Sequence, residues 1–68
     1  FGVKGRAVAV LYYLCQGYSN QEIATKLSLS ENTVRKDYVS NLLKLFKVKS
    51  RTQLLVEIAR LGIVIPKP

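Results

Sequence analysis

Two serine-capped helix starts, eleven residues apart, constrain the fold of this chain more than any other feature. Ser19-Asn20-Gln21-Glu22 forms a Ser-x-x-Glu capping box, in which Ser19 accepts from the N–H of residue 22 and Glu22 bonds back to that of residue 19. Ser30 is a second N-cap, for a helix that begins at Glu31. Only a short helix, about 20–27, and a turn over 28–30 fit between them. The stretch therefore predicts a helix-turn-helix, although many such hairpins in small bundles bind nothing.

Apolar periodicity predicts a helix on either side of this pair. Residues 7, 10, 11 and 14 are apolar and follow the i, i+3, i+4, i+7 spacing, which indicates a first helix over about 6–16 that ends at Gly17. A Ser50-x-x-Gln53 capping box predicts a fourth helix over about 51–61 that ends at Gly62. With a third helix over about 31–46, the chain is predicted to be an all-α, four-helix, single domain over residues 1–68.

Charge indicates what such a domain binds. The 68 residues carry a formal net charge of +7, which implies an acidic partner. Six cations cluster between residues 31 and 51, against Glu31 and Asp37, and they are Arg35, Lys36, Lys44, Lys47, Lys49 and Arg51. A solvated basic face is the alternative, but the cluster follows a helix-turn-helix. We therefore expect nucleic acid as the partner.

The composition leaves little room for catalysis. The chain has no histidine and one cysteine, Cys15, so the usual zinc sites and Ser-His or Cys-His nucleophile pairs are excluded. We interpret Cys15 as a small core residue. No apolar run approaches the ~18 residues of a membrane span. We expect no enzyme, no cofactor, no metal site and no membrane segment.

With these motifs in place, the chain resembles the LuxR/GerE-type helix-turn-helix domain, the DNA-binding output module of many bacterial response regulators. The resemblance covers about residues 3–65 and rests on four segments, which are 17–24 (GYSNQEIA), 29–35 (LSENTVR), 39–43 (VSNLL) and 48–53 (VKSRTQ). It implies that the third helix is the recognition helix and the fourth the dimerisation helix. It also implies an excised domain, whose upstream regulatory domain is missing from this chain.

The spacing and the resemblance together nominate three sets of site residues. Contacts with base edges are expected from Arg35, Lys36, Val39 and Ser40. Contacts with DNA phosphates are expected from Ser19, Asn20, Gln21, Thr33, Lys44, Lys49 and Arg51. Dimerisation is expected from Val56, Ala59, Arg60 and Ile63, which lie off the apolar stripe that the core needs.

The chain departs from the family pattern inside the third helix, where the stretch from Val34 to Val39 carries one extra residue. One inserted residue rotates everything after it by about 100° in an α-helix. Val34, Tyr38 and Leu42, with Leu45 and Phe46, form a continuous apolar face in a regular helix. We therefore expect an undistorted helix with Tyr38 buried. The alternative is a single π-bulge near Asp37.

The leading hypothesis is sequence-specific binding of double-stranded DNA by the output domain of a cytoplasmic bacterial transcription regulator. The domain would be a weak homodimer through its fourth helix, and a contact with RNA polymerase is left open. One alternative is the promoter-binding region of a sigma factor. Another is a protein-interaction or anionic-membrane module, although here the core needs the apolar residues that such a module would expose.

Overall fold

The computed structural model describes residues 5–68, and this part of the chain is all-helical as predicted, with four helices and no strand. We number them α1 (Arg6–Cys15), α2 (Asn20–Leu27), α3 (residues 31–45) and α4 (Arg51–Leu61). The predicted limits of the four helices hold to within one residue. Residues 1–4 of the predicted domain lie outside the described residues.

All four helices contribute to one hydrophobic core. The fully enclosed side chains at its centre include Leu11 and Leu14 of α1, Ile23 of α2 and Leu54 of α4. The complete cluster is Val10, Leu11, Leu14, Ile23, Ala24, Val34, Val39, Leu42, Leu54 and Ile58. Because every helix buries one stripe here, its opposite face is left to solvent.

Each helix is followed, within two residues, by a residue with left-handed backbone geometry. Gly17 and Gly62 adopt φ values of 86° and 67°, as expected for glycine after a helix C-terminus. Ser28 and Lys47 adopt φ values of 56° and 58° without that freedom. After α3, Val48 N–H bonds to Leu43 O at 3.0 Å and Lys47 N–H to Lys44 O at 3.1 Å, which is a Schellman motif.

The third helix is not the regular α-helix that we predicted. It consists of an α-helical turn (Glu31–Thr33), a π-helical segment (Val34–Val39) and a second α-helical segment (Ser40–Leu45). Ser40 N–H bonds to Arg35 O, five residues back, which is the π pattern. The extra residue is thus absorbed locally, because Val34 and Val39, five apart, can both face the core.

This correction changes which side chains the core receives from α3. Val39 is buried with 8% of its surface exposed, whereas Tyr38 is only half-buried and packs against the core from its edge. Leu45 was also expected on the inner face, but it is 50% exposed. On α4, Leu61 is likewise 53% exposed.

Candidate nucleic-acid interface

The first turn of α2 is built by the capping box that the sequence predicts. Ser19 N–H donates to Glu22 Oε1 at 2.9 Å, and Glu22 N–H donates to Ser19 Oγ at 3.1 Å. Hydrogen bonds to the Glu22 carboxyl from Ser19, first from its backbone N–H and then from its side chain, lower the pKa of that carboxyl. Ser19 and Gln21 are exposed and Asn20 is half-buried. The free N–H groups of this helix start therefore face solvent, where an anion can reach them.

The first turn of α4 lies beside that of α2. Arg51 Nη1 donates to Asn20 Oδ1 at 2.8 Å, and the bond is partly shielded from solvent. Ser50 caps α4 as predicted, since Gln53 N–H donates to Ser50 Oγ at 3.1 Å. A capping box predicts that the Gln53 side chain accepts from Ser50 N–H. It accepts instead from Lys49 N–H, at 2.8 Å. Two helix N-termini and the guanidinium of Arg51 thus lie together.

The outward face of α3 begins with a polar first turn. Ser30 caps the helix, since Thr33 N–H donates to Ser30 Oγ at 3.0 Å, and the Ser30 hydroxyl donates to Thr33 Oγ1 at 2.8 Å. Arg35 Nη2 donates to Asn32 Oδ1 at 2.7 Å, and both residues are exposed. This bond draws the guanidinium towards the N-terminus of α3, with its other donors still available.

The residues predicted to contact bases separate into two groups. Arg35 and Lys36 are exposed on the side of α3 away from the core, and Ser40 is half-buried. Val39 belongs to the hydrophobic core, which corrects its assignment to the base-contacting set. The reason is the π-helical segment, which brings Val39 to the inner face in place of Tyr38.

Two exposed residues of α3, Asp37 and Asn41, were not among the nominated site residues. Both lie on its outward surface with Lys36 and Lys44. Asn41 Nδ2 donates to the backbone carbonyl of Asp37 at 2.6 Å, where the π segment gives way to α-helix. The i, i+4 spacing of Asp37 and Asn41 could have suggested that bond. The charge of Asp37 indicates exposure, but its place next to Lys36 on the outward face depends on the π segment.

The nominated dimerisation residues lie on α4 and the residues that follow it. Val56 is 63% exposed, and Ala59 and Arg60 are exposed as well. Arg60 forms an ion pair with Glu57, one turn earlier. Ile63 is half-buried against the core, so it is less available to a partner than the sequence suggests. The exposed part of this surface is therefore centred on Val56 and Ala59.

Cys15 does not have the core position expected of it. It is exposed at the end of α1, and partial burial raises the pKa of its thiol. A raised pKa disfavours the thiolate, which is the nucleophilic and metal-binding form.

Within residues 5–68, no helix is both long and apolar enough to span a membrane.

Comparison with known proteins matches most of the chain to one family. A family model described as bacterial regulatory proteins of the luxR family matches residues 5–58. In solved structures, one titled "Structure of Transcription factor, GerE" superposes with a TM-score of 0.75 at 35% identity and covers 88% of each chain.

Similar curated proteins differ in how much of their length this chain covers. The spore germination protein GerE of Bacillus subtilis is 42% identical over 53 residues, which are 78% of this chain and 70% of that protein. The transcriptional regulatory protein LnrK of Bacillus subtilis is 41% identical over 58 residues, or 85% of this chain. DegU of Brevibacillus brevis is 44% identical over 57 residues, or 84% of this chain. The chain spans only about a quarter of these two relatives, 26% of LnrK and 24% of DegU.

Proposed function

Because the chain belongs to the luxR family of bacterial regulatory proteins, we propose that it binds double-stranded DNA sequence-specifically as the output domain of a transcription regulator. In this proposal α3 enters the major groove and α2 crosses the phosphate backbone. The family match favours this function over the promoter-binding region of a sigma factor. The domain would act in the cytoplasm, as part of a longer regulator that also contains a regulatory domain.

The observation that carries the proposal is that α3 exposes two cations while a third joins the starts of α2 and α4. Arg35 and Lys36 are exposed on α3, opposite its buried stripe of Val34, Val39 and Leu42. The bond from Arg51 to Asn20 holds the N-termini of α4 and α2 side by side. A helix in the groove with two helix N-termini at the phosphates is the layout that a helix-turn-helix needs.

Each nominated residue then has a role in the proposed complex. Arg35, through its remaining donors, and Lys36 would bond to guanine O6 and N7, with Ser40 as a weaker neighbour. The phosphates would be bound by Ser19, Asn20, Gln21, Thr33, Lys44, Lys49 and Arg51. Thr33 gives its backbone N–H to Ser30 Oγ and accepts the Ser30 hydroxyl at Oγ1, so its own hydroxyl hydrogen would be the donor to the phosphate.

The test is binding to a selected duplex and to random duplex over a range of salt concentrations. Affinity should fall with log salt at a slope of about −0.9 per neutralised phosphate. Arg35→Ala should cost about 1–3 kcal/mol on the selected site and much less on random DNA. Lys49→Ala is the matched cation control, and it should weaken both duplexes alike and flatten the slope. Binding to anionic vesicles with no preference for duplex DNA would contradict the proposal.

A further inference from the structure

The π-helical segment brings an acidic residue to the outward face of α3. Val34 and Val39 are both buried, while Arg35, Lys36 and Asp37 between them are exposed. In an α-helix, residues three apart lie within about 60° of each other around the axis. Asp37 would then lie beside Val34 at the edge of the core. The wider π turn carries Asp37 outward instead, next to Lys36.

The Asp37 carboxylate makes no hydrogen bond or ion pair with the part of the chain that the structure describes. The nearby Arg35 guanidinium is drawn away from it by the 2.7 Å bond to Asn32. Asn41, one turn later, donates its amide to the Asp37 backbone carbonyl and not to the carboxylate. An acceptor-only group is thus left unpaired on the surface proposed to meet DNA.

An exposed carboxylate accepts from water, but once DNA displaces that water it needs a donor from the DNA. Phosphates offer no donor and repel it, so a merely adjacent carboxylate would weaken binding to every sequence. In the major groove only cytosine N4 and adenine N6 present amino groups, and adenine places its N7 acceptor beside N6. A carboxylate cannot donate to N7, whereas it matches the lone amino group of cytosine.

We propose, on the basis of the proposed function, that Asp37 is a specificity-determining residue whose carboxylate accepts a hydrogen bond from cytosine N4. Arg35 and Lys36 precede it on the same exposed arc, so the cytosine lies next to the guanines that they read. The π segment is what makes this contact available. It adds one base-reading position to the helix without displacing Val39 and Leu42 from the core.

The experiment selects binding sites from a randomised duplex library with the wild-type chain, Asp37→Ala and Asp37→Asn. Wild type should select cytosine at one position, and replacing that base should weaken binding roughly 5- to 150-fold. Asp37→Ala should lose the preference at that position alone. Asp37→Asn should shift it towards adenine, because an amide can pair with both N6 and N7.

The matched control is Glu31→Gln, which removes the other acidic charge of α3 from an exposed site in its first turn. It should change affinity for all duplexes alike and leave the selected sequence unaltered. If the Asp37 variants behave in the same way, Asp37 is only a repulsive charge and the inference is overturned, while DNA binding itself stands. If the wild-type chain selects no sequence at all, the proposed function fails as well. Circular dichroism of each variant confirms that it is folded.

Discussion

Arg51 donates a hydrogen bond to Asn20 Oδ1 at 2.8 Å and so joins the first turns of α4 and α2 across 31 residues of sequence. The bond holds these two helix starts next to each other. It also holds a cation beside them. Arg51 therefore has two roles that can be measured apart, one in the stability of the fold and one in the proposed contact with phosphate.

The first prediction separates these roles with a double-mutant cycle of Asn20→Ala and Arg51→Ala. The coupling in the free energy of unfolding should be about 0.5–1.5 kcal/mol, because one partly shielded hydrogen bond is lost in either variant. Urea denaturation measures it. On DNA, Arg51→Ala should lower the salt slope, whereas the uncharged Asn20→Ala should leave it unchanged. Strict additivity of the two stability losses would show that the bond contributes nothing.

The second prediction concerns the extra residue of α3. Deleting Asp37 leaves Val34 and Val39 four apart, the spacing of one α-helical face, so the helix should become regular and its stability equal or higher. Deleting Val56, which is 63% exposed on α4, is the matched control. That deletion rotates the buried Ile58 by about 100° and should cost several kcal/mol. Thermal unfolding compares them, and equal losses would refute local absorption of the insertion.

The third prediction follows from the left-handed residue after α3. Lys47 adopts a φ of 58°, a conformation that costs a side-chain-bearing residue about 1–2 kcal/mol. Lys47→Gly removes this strain but also increases the entropy of the unfolded chain, which opposes part of the gain. The net effect should be a free energy of unfolding about 1 kcal/mol higher. Lys47→Ala keeps the Cβ and serves as the control for loss of the charge. A similar gain in both variants would point to charge repulsion instead of backbone strain.

The fourth prediction uses the capping box of α2. Since the folded state lowers the pKa of Glu22, its contribution to stability is present above the unfolded pKa, near 4.5, and is lost as pH falls through the lower folded value. Glu22→Gln retains the acceptor without titrating. The stability difference between wild type and Glu22→Gln should thus be largest near neutral pH and shrink below about pH 4.5. Urea denaturation of both proteins at about every half pH unit between roughly pH 3 and 7 measures this difference in stability.

The fifth prediction tests dimerisation through α4, which stays a proposal for this chain. Ala59→Glu places a charge at the centre of the exposed surface formed with Val56. On an operator with half-sites about 10–10.5 base pairs apart, it should abolish cooperative binding and leave half-site affinity little changed. Ala59→Ser is the neutral control. Unchanged cooperativity with Ala59→Glu would remove α4 from the dimer.

Local signals in the sequence determined three of the four helix starts and two of the stops. Ser19, Ser30 and Ser50 each cap a helix through a backbone N–H three residues ahead, so the interaction is contained in one turn. Gly17 and Gly62 end helices because glycine adopts positive φ without strain. The exposure of Arg35 and Lys36 on α3 was likewise predictable, because charged side chains are almost never fully buried.

Only the tertiary structure decided how α3 accommodates its extra residue, and therefore which residues of α3 face outward. A register shift and a π turn fit the local sequence equally well, since each keeps an apolar residue near position 38 or 39. The shared core with Leu11 and Leu54 selects Val39 together with Val34 and Leu42, and only a π turn aligns all three. Asp37 reaches the surface for that reason. The bond from Arg51 to Asn20 is equally non-local, because it requires the packing of α4 beside α2.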